Sequence, residues 1–201
     1  MIANQNRFNQ AIARFDELNA EDPNHEVVAG KTYAKELLYA DRMSEMLKRY
    51  TAEASEALQL AVRCQHIQRW KIARTSYPMT KPGYHQWRVA LRNFHAETAE
   101  AVLQEAGYDN AAIVRVCSLI RKEGLKTDPE VQMLEDVVVL VFLESYLEEF
   151  VSSHQGYDEA KFIDILRKTL NKMSPQGRQA ALKIINPPTA LAPLLYSLIE
   201  A

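Results

Sequence analysis

Hydrophobic residues along most of the chain recur every three or four positions, the spacing of one face of an α-helix. In the first segment Phe8, Ile12, Phe15 and Leu18 form such a stripe and predict a helix over 4–19. Similar patterns predict helices over 32–50, 52–72, 84–106, 110–122, 129–152, 158–172 and 175–185 and an apolar tail over 190–199. No Asn-Gly turn or alternating β-branched run favours a sheet. The sequence therefore predicts an all-α bundle of about eight or nine helices.

The breaks between these stripes are short, and none has the composition of a linker between domains. Two prolines and Gly83 predict a loop over 74–83. Seven apolar residues in succession, over 137–143, predict a helix buried on all sides. We therefore expect one helical domain over 1–201, with a core of about 32–155 and a C-terminal helical extension of about 156–201.

Composition fits a globular protein of ordinary size, since 201 residues with 47% hydrophobic content can build a real core. Cys64 and Cys117 lie in apolar helical patterns and predict reduced, buried thiols. No segment has the apolar length of a signal peptide or a membrane span, so we expect a cytoplasmic protein without a membrane partner. The apolar C-terminal tail could dock on its own domain or on a second copy, which leaves a homodimer possible.

Positive charge is concentrated between Ala57 and Ala96. This segment holds seven of the 24 Lys and Arg residues and none of the 26 Asp and Glu residues. It also holds three of the five histidines. Such segregation of charge favours an anionic partner, with phosphate as the first candidate. The predicted phosphate-binding residues are Arg63, Arg69, Arg74, His85, Arg88 and Arg92.

Two histidines of the basic segment and two acids outside it form a candidate catalytic site. His66 and His95 fall on two predicted helices within the basic segment, and Glu135 and Asp136 open the buried apolar run. Imidazole and carboxylate can hold a divalent metal ion that activates water, while guanidinium groups bind phosphate oxygens. His66, His95 and Asp136 are the predicted metal ligands, and Glu135 is a predicted base.

The same residues have structural explanations that the sequence leaves open. Each histidine could be a hydrogen-bonded core residue, and Glu135 or Asp136 could neutralise Arg63 or Arg88 in a buried ion pair. The arginines could pair with acidic helices elsewhere in the chain. Because aromatic residues alternate with arginines around Trp70 and Trp87, single-stranded RNA is an alternative partner.

The sequence lacks the motifs of several common enzyme classes, which argues against those classes. It contains no glycine-rich phosphate loop, no G-x-G-x-x-G, no G-x-S-x-G and no H-E-x-x-H.

Specific stretches of the chain resemble domain-of-unknown-function family 4202. The resemblance covers nearly the whole chain and is carried by Leu60–Trp70, Gly83–Arg88, Phe94–His95, Gly107–Tyr108, Gln132–Asp136 and Val141–Glu144. That family implies no particular activity.

The order of the histidine-bearing and acid-bearing helices is also similar to the HD-domain superfamily of metal-dependent phosphohydrolases. In that comparison Gln65-His66 stands where a His-Asp pair belongs, His95 matches an auxiliary histidine, and Asp136 matches the distal aspartate. Asp41 or Glu36 would have to replace the first histidine. The resemblance implies an HD-like fold, a divalent metal ion and hydrolysis of a nucleotide or other phosphorylated small molecule. Because some HD-like proteins are iron oxygenases, the resemblance also implies that alternative. A different hypothesis, which rests on the same arginines with Lys71 and Lys81, is a non-catalytic module that binds RNA or another polyanion.

Overall fold

A computed structural model describes residues 2–200 of the chain, which form two compact units. The first unit contains the chain up to Glu45 together with Glu53–Glu123, and the second contains Met46–Ala52 together with the chain from Gly124 onward. About 70% of the residues are helical, so the prediction of an all-α protein is confirmed. The expectation of one domain over 1–201 stays a prediction.

The first unit contains helices and a short hairpin that is largely exposed. Its elements are α1 (Gln5–Ala20), β1 (His25–Val28), β2 (Lys31–Ala34), α2 (Lys35–Tyr50, whose last turn belongs to the second unit), α3 (Glu56–Arg63), two 3₁₀ turns (Arg69–Lys71 and Arg74–Ser76), α4 (Lys81–Glu105) and α5 (Asn110–Arg121).

The second unit is helical throughout its described part. Its elements are α6 (Pro129–Val141), a π-helical turn (Phe142–Tyr146), α7 (Leu147–Ser153), α8 (Glu159–Leu170), α9 (Pro175–Ile184) and α10 (Ala192–Glu200). The π turn joins α6 to α7 without a break, so the predicted helix over 129–152 contains one wide turn.

Capping residues mark where the helices begin: α1 and α5 start within one residue of the prediction, whereas α3 starts at Glu56, four residues later than predicted. The side chains of Asn4, Ser55 and Asp109 accept hydrogen bonds from backbone N–H groups in the first turns of α1, α3 and α5. Thr80 does the same for α4, which begins three residues earlier than predicted and takes up Pro82 near its start.

The hairpin corrects the prediction of a plain loop before the second helix. β1 and β2 are antiparallel, and Val28 pairs with Lys31. Between them Ala29 and Gly30 both have positive φ, 49° and 79°. Two-residue turns of this kind match the twist of paired strands. Because alanine is uncommon at such a position, the usual turn signal was missing from the sequence.

A second correction concerns the predicted helix over 52–72, which is wrong beyond Arg63. The chain leaves the helix at Cys64 and turns, and Gln68 has a left-handed backbone with φ of 49°. The buried Asn19 side chain of α1 accepts the Gln68 N–H at 2.9 Å. His66 and Trp70 therefore do not share a helical face with Arg63, and His66 instead lies in the turn.

The core of each unit consists mainly of the apolar stripes. Phe15, Leu58, Leu91 and Leu103 are fully buried in the first unit, as are both cysteines, and neither cysteine forms a disulfide. The apolar run of α6 is buried in the second unit. The spacing of Tyr84, Trp87 and Leu91 predicts one apolar stripe facing the core, and this is wrong for Tyr84, which is 46% exposed.

Candidate functional site

His66 is held between three other elements of the first unit. Its ring stacks on Tyr39 of α2, with ring centroids 4.2 Å apart and planes 13° apart. Its Nδ1 lies 3.6 Å from Oε2 of Glu36, and its Nε2 lies 3.1 Å from Nη1 of Arg69. Because a guanidinium group can only donate, Nε2 of His66 is the acceptor and Nδ1 carries the proton toward Glu36.

His95 of α4 is 2% exposed and lies beside His66, with ring centroids 5.9 Å apart. Its Nδ1 is 2.7 Å from the carbonyl oxygen of Ile67. Since a carbonyl only accepts, Nδ1 carries the proton and Nε2 carries the lone pair. Nε2 is buried and has no hydrogen-bond partner among residues 2–200. A buried polar atom without a partner costs about 1–3 kcal/mol, so this atom needs an explanation.

Two arginines lie beside the histidines, and the charge of the buried Glu36 acts on one of them, Arg69. Among the described residues neither Arg69 nor Arg88 forms an ion pair with Asp or Glu. The guanidinium of Arg69 lies over the Trp87 ring, 4.9 Å from its centroid. Burial lowers the pKa of Arg69, and the charge of Arg88 lowers it further. The two cations thus repel each other at a partly buried position.

We call Glu36, His66, Arg69, Arg88 and His95 the histidine–arginine cluster. Burial lowers the pKa of His95 to about 3 and the pKa of His66 well below its ordinary value, and the charges of Arg69 and Arg88 act in the same direction on both. Both imidazoles are therefore neutral at neutral pH. Burial also raises the pKa of Glu36 to about 7, which weakens its negative charge. The cluster carries net positive charge and supplies several N–H donors, as an anion site requires.

Arg63, also predicted to bind phosphate, lies apart from this cluster in an ion-pair network. Its Nε is 2.6 Å from Asp16 of α1, and its Nη1 is 2.7 Å from Asp41 of α2. The side chain is 10% exposed. Three helices thus meet at Arg63, and its donors are engaged within the protein.

The remaining predicted phosphate ligands also have other surroundings. Arg74 donates to the backbone carbonyl groups of Tyr77 and Pro78, and Arg92 donates to that of Arg121. His85 is exposed and packs edge-on against Tyr84. The structure therefore brings together Arg69 and Arg88 with His66 and His95. Arg74 lies near them, over the Trp87 ring that Arg69 also contacts, at 5.9 Å from the ring centroid, whereas Arg92 and His85 have the other surroundings described.

Asp136 and Glu135 belong to α6 in the second unit, and both are buried as expected. Asp136 is 1% exposed, and its oxygens accept hydrogen bonds from Tyr50, Gln132 and, twice, Ser174 at 2.6–3.1 Å. Ser174 caps α9, whose Gly177 lies against the carboxylate so closely that a Cβ there would be 2.5 Å from Cγ of Asp136. The carboxylate thus joins α6 to the start of α9.

The metal prediction can be compared with the donors that are present. Within residues 2–200 no three His, Cys, Asp or Glu side chains are arranged so that they could hold a metal ion. His95 fits as a single ligand, because its Nδ1 is tied to a carbonyl and its Nε2 is open. The cations around it, Arg69 and Arg88, oppose a divalent ion and favour an anion. Metal binding by His66, His95 and Asp136 stays a prediction.

Glu36 is predicted only as a replacement for a histidine of the HD-domain pattern, and Lys122 is not predicted as a site residue. Glu36 lies 30 positions before His66, and the charge of Lys122 is one of those that lower the pKa of His66. Lys122 ends α5 with a left-handed backbone, φ of 60°. Glu36 lies at the start of α2 and Lys122 at the end of α5, so their proximity to His66 depends on tertiary packing and could not be predicted from the sequence.

In the part of the chain that the structure describes, no helix has both the length and the apolar character to cross a membrane.

Comparison with known proteins gives one match. A family model described as a domain of unknown function, DUF4202, matches residues 9–195. No curated protein and no solved structure matches the chain.

Proposed function

The chain belongs to the family of the domain of unknown function DUF4202, and we propose that it is an enzyme that binds a phosphorylated small molecule at the histidine–arginine cluster and hydrolyses its phosphate ester. The observation that carries the proposal is the pair Arg69 and Arg88, which lie beside two neutral histidines and form no direct ion pair with a carboxylate among the described residues. Glu36 is the carboxylate whose charge acts on Arg69, and its own negative charge is weakened by a pKa raised to about 7.

The energetics of this pair favour a bound anion. Burying a guanidinium group without a counterion is costly, and two of them repel each other. A phosphate group would remove both costs, because its oxygens accept paired N–H donors and its negative charge neutralises the cations. A nucleotide or another phosphate ester of a small molecule supplies such a group.

Hydrolysis is supported by the resemblance to the HD-domain superfamily. In this proposal His66 and His95 would line the phosphate site, and a divalent metal ion, as the resemblance implies, would activate water and neutralise charge on the phosphate. Arg69 and Arg88 would orient the phosphate and stabilise the charge that develops on its oxygens. Glu36, with its pKa raised to about 7, could exchange a proton near neutral pH.

Phosphate binding is tested by calorimetric titration with inorganic phosphate. Replacing Arg69 or Arg88 with glutamine should each weaken binding by about tenfold or more, because each change removes a charge-assisted hydrogen bond. Arg14→Gln is the matched control, since Arg14 is an exposed arginine of the same unit that pairs with Glu17. Equal losses in all three variants, or no binding by the parent protein, would contradict the proposal.

Hydrolysis is tested by phosphate release from a panel of nucleotides and simple aryl phosphates. We expect release to stop after treatment with a chelator, to return when a divalent metal ion is added, and to be lost in His66→Ala. Release that persists after chelation would refute the metal requirement. If phosphate binds and no ester is cleaved with any of the common divalent ions, the hydrolytic part of the proposal is wrong.

A further inference from the structure

We propose that His95 makes the histidine–arginine cluster selective for phosphate that carries a proton, so that the site takes phosphate monoesters and inorganic phosphate and discriminates against sulfate and phosphodiesters. This inference rests on the proposed function, because it assumes that an anion occupies the cluster.

The neutral His95 ring carries its proton at a fixed position. Its Nδ1–H donates to the carbonyl oxygen of Ile67 at 2.7 Å, so the neutral ring has only a lone pair at Nε2. The side chain is 98% buried, and no described residue donates to Nε2. Nε2 is therefore an unused acceptor, within a cluster whose arginines are all donors.

The neighbouring groups do not provide Nε2 with a donor. Nε2 of His66 is itself an acceptor, occupied by Arg69. Arg69 and Arg88 both act on His95 through their charge, and neither is hydrogen-bonded to it. Glu36 lies against the Nδ1 side of His66. A ligand that brings an O–H donor would satisfy Nε2.

Anions differ in whether they carry an O–H group that can donate a hydrogen bond to Nε2 of His95. Arginine N–H groups bind the oxygens of any tetrahedral anion, so they give affinity with little selectivity. An acceptor facing an unprotonated oxygen opposes binding, because two lone pairs meet. Inorganic phosphate carries at least one P–OH group at neutral pH, whereas a monoester, with a pKa of about 6, is mostly the dianion there and takes up a proton from water when it binds. Sulfate and phosphodiesters carry no proton at neutral pH and leave Nε2 unsatisfied.

The test compares inorganic phosphate and sodium sulfate by calorimetry with the full-length protein at neutral pH. We expect phosphate to bind about tenfold or more tightly than sulfate, the effect of one buried hydrogen bond. In His95→Asn the amide nitrogen can still donate to Ile67, and no atom remains at the position of Nε2. The ratio of the two affinities should therefore fall toward one. His25→Asn is the control, because His25 is exposed and its Nδ1 lies 3.0 Å from the Pro23 carbonyl oxygen.

Two further measurements keep the outcome clear. Arg88→Gln should weaken the binding of phosphate and of sulfate by a similar factor and leave the ratio of the two affinities unchanged. In the parent protein, the ¹⁵N resonance of His95 Nε2 should shift on addition of phosphate and not of sulfate, so the inference does not depend on a variant that folds. Equal affinities in the parent, or a ratio that survives in a folded His95→Asn protein, would overturn the inference and leave anion binding intact. Binding of neither anion would overturn the proposed function together with it.

Discussion

Replacing Asp136 with alanine is expected to lower the free energy of unfolding of the second unit by about 3–5 kcal/mol. The buried carboxylate accepts four hydrogen bonds, and its removal leaves the donors of Tyr50, Gln132 and Ser174 without their acceptor. It also removes the contact between α6 and the start of α9, where Gly177 lies against the carboxylate. This is the largest destabilisation that we expect from a residue predicted from sequence to be functional.

Hydrogen exchange of backbone amides in α6 and α9 would measure this effect. Tryptophan fluorescence would not, because Trp70 and Trp87 both lie in the first unit. Asp164→Ala is the control: this aspartate of the same unit is exposed and pairs with Lys168, so its loss should cost less than about 1 kcal/mol. If Asp136→Ala loses a bound metal ion while amide protection in α6 and α9 is unchanged, the role as a metal ligand predicted from sequence would replace the structural one.

Arg63→Gln is expected to lower the free energy of unfolding of the first unit by about 2–3 kcal/mol. The change removes the cation that joins Asp16 of α1 and Asp41 of α2 to α3. The cost is limited because both aspartates are partly exposed and can be hydrated when the cation is gone.

Urea unfolding followed by tryptophan fluorescence would measure this change, since both tryptophans report on the first unit. Arg14→Gln again serves as control, because its ion pair with Glu17 is exposed and lies within one helix. A variant at Arg63 with unaltered stability but weakened phosphate binding would show that Arg63 is a ligand after all.

Much of the fold follows from local rules. The predicted starts and ends of α1, α5 and α9 lie within about one residue of those observed, because each helix has a side-chain cap and an apolar stripe that the sequence displays. The end of α3 could not be predicted in this way. It depends on Asn19, which accepts the Gln68 N–H from 49 positions away. The contact lets the chain turn although the local pattern is still helical.

The candidate site shows the same division. The basic segment without acids correctly drew attention to the region that contains His66, Arg69, Arg88 and His95. It could not separate these arginines from Arg63, because all carry the same charge within one segment. What distinguishes them is that carboxylates from two other helices form direct ion pairs with Arg63, and that depends on tertiary packing. The free lone pair of His95 is likewise visible only once the Ile67 carbonyl group is placed.

The π turn at Phe142–Tyr146 determines the direction in which the side chains of α7 point, because it adds one residue to the helix before α7. A π turn contains one residue more than an α turn, which offsets the helix beyond it by about 100°. Within this turn Glu144 accepts hydrogen bonds from Arg49 and from the N–H of Asn186. The extra residue acts as a spacer that sets the rotational phase of α7. A substitution changes only a side chain, whereas a one-residue deletion here would rotate the helix that follows.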